Sequence, residues 1–348
     1  YIAQLANNEL TYEKKHELNF GIDAGFLNNR INFTFDIYSR RNYDLIGVIN
    51  TQGTGGEPRK YGNVAKMKSN GVEIALNTVN IKTKDFTWTT DLIYSHMHNE
   101  VTELNTLNRM YDYISGSGFT MPGYPQRSLF SIPFMGLNNE GLPTFLDQDG
   151  NVSVTGINMQ EYDPERLKFL KYEGPVDPTD VGSLGNVFRY KGVTLNLFIT
   201  YSFGNVVRLD PVFSSSYSDL TATPKEFKDR WVKPGDENFT NVPVIASKQQ
   251  LNNIAYLSTA YQAYNYSTER VAKGDFIRMK EISLGYEFPK SITQPLRLSN
   301  LSLKLMATNL FLIYADKKLN GQDPEFFNAG GVANPMPKQF TLTLKFGI

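Results

Sequence analysis

Few residues in this chain have the type and spacing that covalent chemistry needs. His96 and His98 stand two apart in a strand-like stretch, so both can face one side and ligate a metal, yet the sequence places no third ligand beside them. "DQDGN" at 147–151 alternates Asp147, Asp149 and Asn151 like the start of a calcium loop. The position where a bidentate Glu would close that loop is Asn158, so a turn at a hairpin tip is the better reading. The glycine-rich "QGTGGEP" (52–58) and "SGSG" (115–118) lack the strand–loop–helix context of a phosphate cradle. There is no cysteine, no G-x-S-x-G elbow and no H-E-x-x-H, and the carboxylates form no recognisable catalytic pair. The chain reads as a non-enzyme with no metal or cofactor. What remains is stacking: rings bury a large area at low entropic cost and tolerate varied ligands. Tyr111, Tyr113, Tyr124, Trp231, Tyr261 and Tyr264 are the candidate substrate contacts, with Phe119, Tyr256 and Tyr266 beside them. The competing reading has these rings packing the loops against one another, and for Trp231, in "RWVKPGD", a structural anchor is the stronger assignment.

The elements that must carry these rings are strands. "QFTLTLKFGI" (339–348) sets Phe340, Leu342, Leu344, Phe346 and Ile348 on one face and Thr341, Thr343 and Lys345 on the other. The same period runs through 17–27, 31–46, 72–81, 86–97, 192–203, 276–288 and 301–314, and a further strand or hairpin is expected within 128–146. That makes roughly nine or ten strands, most longer than soluble sheets use and suited to crossing a hydrocarbon core. Connections alternate between tight ones ("NNR", "KTKD", "PKSITQP") and long polar ones at 51–71, 98–127, 204–274 and 315–337. Aromatics close the strands at Tyr94, Tyr201, Phe203, Tyr286, Phe288 and Tyr314. Alternating loop lengths and aromatic ends are the plan of an all-β, antiparallel transmembrane barrel, in which the five apolar residues of the last strand face lipid. The 35 basic and 35 acidic residues cancel, which gives nucleic acid no electrostatic footprint. Within 204–274 a short helix is expected at 224–231, with Thr223 as N-cap and Pro224 at the first helical position.

Seven stretches, in this order, are similar to the C-terminal half of SusC-like (SusC/RagA family) TonB-dependent transporters of Bacteroidota. They are "LTYEKKHELNFGIDAGFLNNRINFTFDIYSRRNYDLI", "YGNVAKMKSNGVEIAL", "NVFRYKGVTLNLFITYSFG", "RWVKPGD", "KGDFIRMKEISLGYEFPKSI", "LSLKLMATNLFLIYADKKLNGQDPEF" and "PMPKQFTLTLKFGI". The resemblance implies a larger plugged barrel in the outer membrane, a TonB box, and a SusD-like lipoprotein over the extracellular face. It also implies uptake of oligosaccharides or oligopeptides driven by TonB. No plug or TonB box is recognisable in residues 1–348, which read as part of the barrel domain alone. The expectation is a C-terminal fragment of a longer polypeptide, or a piece whose other strands are cleaved or unseen, because an open sheet would leave two bare edges in lipid. Two other functions fit the strand pattern: a barrel scaffold in an outer-membrane assembly or secretion complex, and a soluble carbohydrate-binding β protein.

Overall fold

The computed structural model describes residues 7–51, 53, 56–106, 108–115, 118–213, 224–326 and 337–348. Its backbone is one nine-stranded antiparallel sheet. The strands are β1 (Lys14–Phe26), β2 (Ile31–Asn50), β3 (Arg59–Lys82), β4 (Phe86–Leu104), β5 (Asp180–Tyr190), β6 (Val193–Phe203), β7 (Phe276–Glu287), β8 (Asn300–Ala315) and β9 (Gln339–Gly347). Each pairs with the next in chain order, β1 and β9 forming the two edges. This is the simplest meander, and each pair is a hairpin.

Directly opposed residues of an antiparallel pair share a face, so the register decides what each face is made of. Phe20 opposes Ile37, Ile37 opposes Val72, and the same rule carries through to Leu305 opposite Leu342 and Leu303 opposite Leu344. The apolar stripes of the strands therefore merge into one continuous surface, and it is open. Phe340, Leu342, Leu344, Phe346 and Ile348 are 57–97% exposed, and Leu18, Phe20, Leu284 and Leu305 are exposed on the same side. An apolar face this extensive is far beyond the patches a water-soluble monomer shows. The opposite face is polar and internally bonded: the Thr34 hydroxyl donates to Asp23 (2.7 Å), Asn196 to Glu281 (3.1 Å), and Asn77 to Asp91.

The tight turns lie at 27–30, 83–85 and 191–192, and at 288–299, where a single helical turn (Lys290–Thr293) sits. The other end of the sheet carries the long connections. Tyr286 and Phe288 pack edge to face (4.9 Å) at the tight end, while Tyr201 and Phe203 (5.7 Å), with Tyr314 against Phe203 (6.5 Å), mark the other. Tyr286 opposes Val193. From there to Tyr201 is about 26 Å of strand, which at the 35–45° tilt of barrel strands spans about 20 Å of the roughly 25 Å apolar band.

The structure changes three of the expected boundaries. The segment 59–71, expected within a loop, is strand. β2 and β3 run 20 and 24 residues, well past the roughly 9–11 that a bilayer requires, and the outer half of β3 is polar and conceals the period. β4 likewise continues to Leu104, shortening the loop expected from residue 98. Residues 128–146 contribute no spanning strand; they form short pieces, Ser128–Ser131, Phe134–Leu137 and Pro143–Leu146, in small sheets above the barrel wall.

The spanning strand absent from the expected set is β5. Its apolar stripe is interrupted at Gly182 and Asn186, which hides the alternation. Both interruptions are covered by neighbours. The Tyr201 ring lies over Gly182, and the Asn186 carboxamide accepts hydrogen bonds from Trp88 Nε1 (2.9 Å) and the Thr90 hydroxyl (2.8 Å). A polar group on an apolar face is tolerable once it is bonded. The helix expected at 224–231 is a 3-10 turn, Lys225–Asp229, capped by Pro224; Thr223 lies outside the described residues.

The face assignment makes a sharp prediction. In the full-length protein refolded into lipid vesicles, Leu342→Arg should cost about 2–4 kcal/mol, the penalty for a cation near the middle of a lipid-facing strand. Thr343→Arg, one residue on, should change stability by no more than about 0.5 kcal/mol. Denaturant titration of the two variants measures the difference.

Candidate functional site

The connections β4–β5 (105–179) and β6–β7 (204–275) do not spread over the rim as separate loops. They interlock into one lobe. Its core joins Met110, Ile114, Ile132, Leu142 and Phe145 from the first connection to Phe213, Leu257, Tyr261, Ala263 and Tyr264 from the second. The second connection supplies helices α2 (Lys248–Asn253) and α3 (Leu257–Asn265), and the first supplies α1 (Met110–Ile114). Backbone bonds tie them directly: Ile132 N–H to the Tyr266 carbonyl (3.1 Å) and Thr268 N–H to the Ile132 carbonyl (3.0 Å).

Buried polar groups brace the second connection internally, and one of them, Arg208, ties it to the first. Asn265 accepts from the Val212 and Phe213 N–H groups (3.0 and 3.2 Å) and donates to the Phe213 carbonyl (2.8 Å), satisfying three backbone groups from one side chain. Arg208 reaches into the first connection, donating to the Phe130 carbonyl (2.6 Å) and Ser131 Oγ (3.0 Å), and also to the Ser267 carbonyl (3.0 Å). Burial lowers its pKa to about 10, which leaves it charged at neutral pH. Arg270 donates to Glu226 (2.7 Å) and to the Asp210 carbonyl (2.7 Å). None of these residues was legible as a site in the sequence, because partners such as Arg208 and Phe130 lie 78 residues apart.

The two signature stretches anchor the lobe. In "RWVKPGD" the Asp236 carboxylate accepts from Val232 and Lys233 N–H (3.1 and 3.0 Å), and Glu237 accepts from Gly235 N–H (2.8 Å) and Trp231 Nε1 (2.9 Å). The indole so held packs on Gly141 of the other connection, where any side chain would collide with it. In "KKLNGQDPEF" the carboxylates of Asp323 and Glu325 pair with Arg278 of β7, and Leu319 is buried against Val207, Leu209 and Ala272. "DQDGN" is a turn: Asp147 Oδ1 accepts from Asp149 and Asn151 N–H (3.0 and 2.9 Å). His96 and His98 do face one side, and among the described residues no group of three His, Asp or Glu is placed to hold a metal.

The expected ring contacts therefore separate by environment. Tyr264 is wholly buried, edge to face with Phe134 and Phe213 (5.5 Å each), and burial pushes its phenol up; Tyr261 is buried in the same cluster. Tyr264 and Tyr261 stand within the lobe core, and Trp231 is buried over Gly141. Tyr113 and Tyr124 pack on Phe130, Tyr113 also on Phe119 and Tyr124 on Tyr172. Tyr111 lines an open cleft.

That cleft, about 610 Å³, lies between α1, the segment 155–160 and α3. The start of α1 is fastened by Met110 N–H to the Glu161 carbonyl (2.8 Å), Tyr111 N–H to the Met159 carbonyl (3.0 Å), and Arg109 N–H to Asp112 (2.9 Å). Burial works to raise Asp112, but hydrogen bonds from the Arg109 side chain and backbone outweigh it and hold the carboxyl below its usual range. Arg109 is thus largely neutralised by Asp112 and also donates to Gln160 (3.1 Å). Tyr256, Thr259 and Gln262, spaced three apart on α3, offer a ring, a hydroxyl and an amide in one row. Tyr256 caps α3 in the left-handed region (φ 64°) and is 73% exposed. Tyr111 meets Tyr266 edge to face (5.9 Å); burial, helped by that neighbour, pushes the Tyr266 phenol up to about 12. The cleft can stack on a flat apolar face and hydrogen-bond around it, without net charge.

Asn265→Ala should free the lobe without opening the barrel. Three backbone groups lose their partner, at about 1–3 kcal/mol for each left buried and unbonded. Limited proteolysis of the full-length protein should then cut within 204–275 while the folded barrel keeps its heat-modifiable migration on gels. Protease resistance equal to the parent would contradict this role.

Residues 1–210 match the model for the TonB dependent receptor-like, beta-barrel family. The chain is 26% identical to TonB-dependent receptor P39 of Formosa agariphila, over 96% of its own length and 34% of that protein. It is 27% identical to TonB-dependent receptor SusC of Bacteroides thetaiotaomicron, over 97% of its length and 32% of that protein. A solved structure of the RagAB peptide transporter superposes with a TM-score of 0.75 at 24% identity, covering 99% of this chain and 36% of that one. The chain spans about a third of the length of the relatives it matches. With its antiparallel sheet agreeing with that match, the chain belongs to the TonB-dependent receptor β-barrel family of the outer membrane.

Proposed function

We propose that this chain forms part of the barrel wall, and the ligand-facing rim, of an importer that carries oligosaccharides or oligopeptides across the outer membrane. TonB supplies the force through a plug, and a SusD-like lipoprotein closes over the rim. The observation that carries this reading is the interlocked lobe. A rim built only to insulate a barrel has no need of two connections, each about 70 residues long, folded around a shared core with an open cleft. The cleft's Tyr111, Tyr256, Gln160, Thr259 and Gln262 suit an uncharged polar polymer, because ring faces stack on sugar or peptide planes while amides and hydroxyls match their hydrogen bonds. Import requires no covalent chemistry; the long loops provide capture and the plug provides the path. The apolar outer stripe, Phe340 to Ile348 included, faces lipid.

The test uses the full-length protein in its own outer membrane. Labelled oligosaccharide and oligopeptide pools should divide, one class being taken up only when TonB is present. Tyr256→Ala and Tyr111→Ala should each weaken capture of that class about fivefold, the worth of roughly 1 kcal/mol of ring contact. Uptake of neither class, or uptake indifferent to TonB, would reject the import reading.

A further inference from the structure

The outer face of the barrel carries a groove of about 370 Å³ on β1–β4 that import does not use. Two successive cross-strand rows line it, and a third stands directly above them. The lowest is Phe20, Ile37, Val72 and His96; the next is Leu18, Ser39, Asn70 and His98; the highest is His16, Arg41, Lys68 and Glu100. Opposed residues share a face, so all twelve point outward. The apolar band therefore ends at the middle row, where the short Ser39 and Asn70 leave a trough between Leu18 and His98. All three histidines of the chain fall in these rows.

The charges above the trough are unequally compensated. Lys68 pairs with Glu100 (2.9 Å), and His96 with Asp180 (2.9 Å). His16 rests edge to face on Tyr43 (5.6 Å). Arg41 is exposed and has no ion-pair partner among the described residues. The site is thus an apolar trough with His98 on its rim, leading up to an uncompensated guanidinium whose cross-strand neighbour is His16. It lies toward the long-connection end, which in such barrels is the extracellular side.

We infer that this groove holds one phosphorylated lipid of the outer leaflet, its acyl chain on Leu18, Phe20, Ile37 and Val72 and its phosphate at Arg41, His16 and His98. An acyl chain alone would account for the trough but leave the guanidinium at the interface unmatched. A soluble anion would match the guanidinium but not the trough. Arg is suited to the task because its planar fork takes two phosphate oxygens at once.

The experiment is native mass spectrometry of the full-length protein from nanodiscs doped with monophosphorylated lipid A or with its dephosphorylated form. The parent should retain the phosphorylated lipid preferentially. Arg41→Ala should reduce that retention about fivefold, the contribution of one basic residue at a charged membrane surface. Val72→Trp, which fills the trough with a residue lipid tolerates, should abolish it; Ser39→Phe does the same from the next row should Val72→Trp fail to fold. Inorganic phosphate at the same concentration should not displace the lipid. Equal retention of the two lipids, displacement by phosphate, or retention unchanged by filling the trough would each overturn the assignment. Uptake of nutrient in these variants is expected to match the parent, which separates this outcome from failure of the import reading.

Discussion

Hydrocarbon offers no hydrogen bonds, and that single constraint organises the molecule. Every backbone N–H and C=O at membrane depth must find its partner in a neighbouring strand. Once the strands are bound edge to edge in fixed register, side chains divide by parity, and one step along any strand changes solvent. The nine strands obey this division together: Leu305 and Leu342 share the apolar face, while Lys304 and Thr343 share the polar one. Where β5 breaks the pattern, Tyr201 shields Gly182 and Trp88 satisfies Asn186, so the exceptions confirm how strictly the face is kept. The same constraint bears on β1 and β9, whose outward edges in lipid call for further strands.

The rim follows from the wall. Strands pinned by register bring the ends of β4, β5, β6 and β7 side by side, so the two long connections between them pack against each other, with Leu319 of the β8–β9 connection against the second. They do so as a small domain would, with Tyr264, Phe213 and Phe145 inside and Asn265, Arg208 and Arg270 closing the polar seams. Rigidity of that kind is what lets Tyr111 and Tyr256 present a preformed cleft instead of a floppy fringe.

The wall was legible in the sequence because a period of two is a local property. "QFTLTLKFGI" states its own geometry, and so do 17–27 and 31–46. The same reasoning failed where local pattern and role diverge. β5 hides its stripe behind Gly182 and Asn186, and the polar outer half of β3 looks like loop because it stands above the bilayer. The pieces at 128–146 look like spanning strand because a lobe core is as apolar as a membrane. The expected count of nine or ten strands nevertheless agreed with nine, since the omission of β5 offset the over-reading of 128–146. The cleft was only half visible. Composition selects aromatic residues but cannot say which rings are buried, and Tyr264 and Tyr256 differ in nothing but their three-dimensional neighbours.

The division of faces is the claim on which the rest stands, and the absence of native cysteine makes it directly measurable. Single spin labels, introduced by cysteine substitution at each position from Gln339 to Gly347 of the full-length protein in lipid bilayers, report collision with oxygen dissolved in lipid and with a water-soluble nickel chelate. Oxygen accessibility should peak at positions 340, 342, 344 and 346, with nickel accessibility never peaking at those positions. A flat profile, or high nickel accessibility at 342 and 344, would contradict the account.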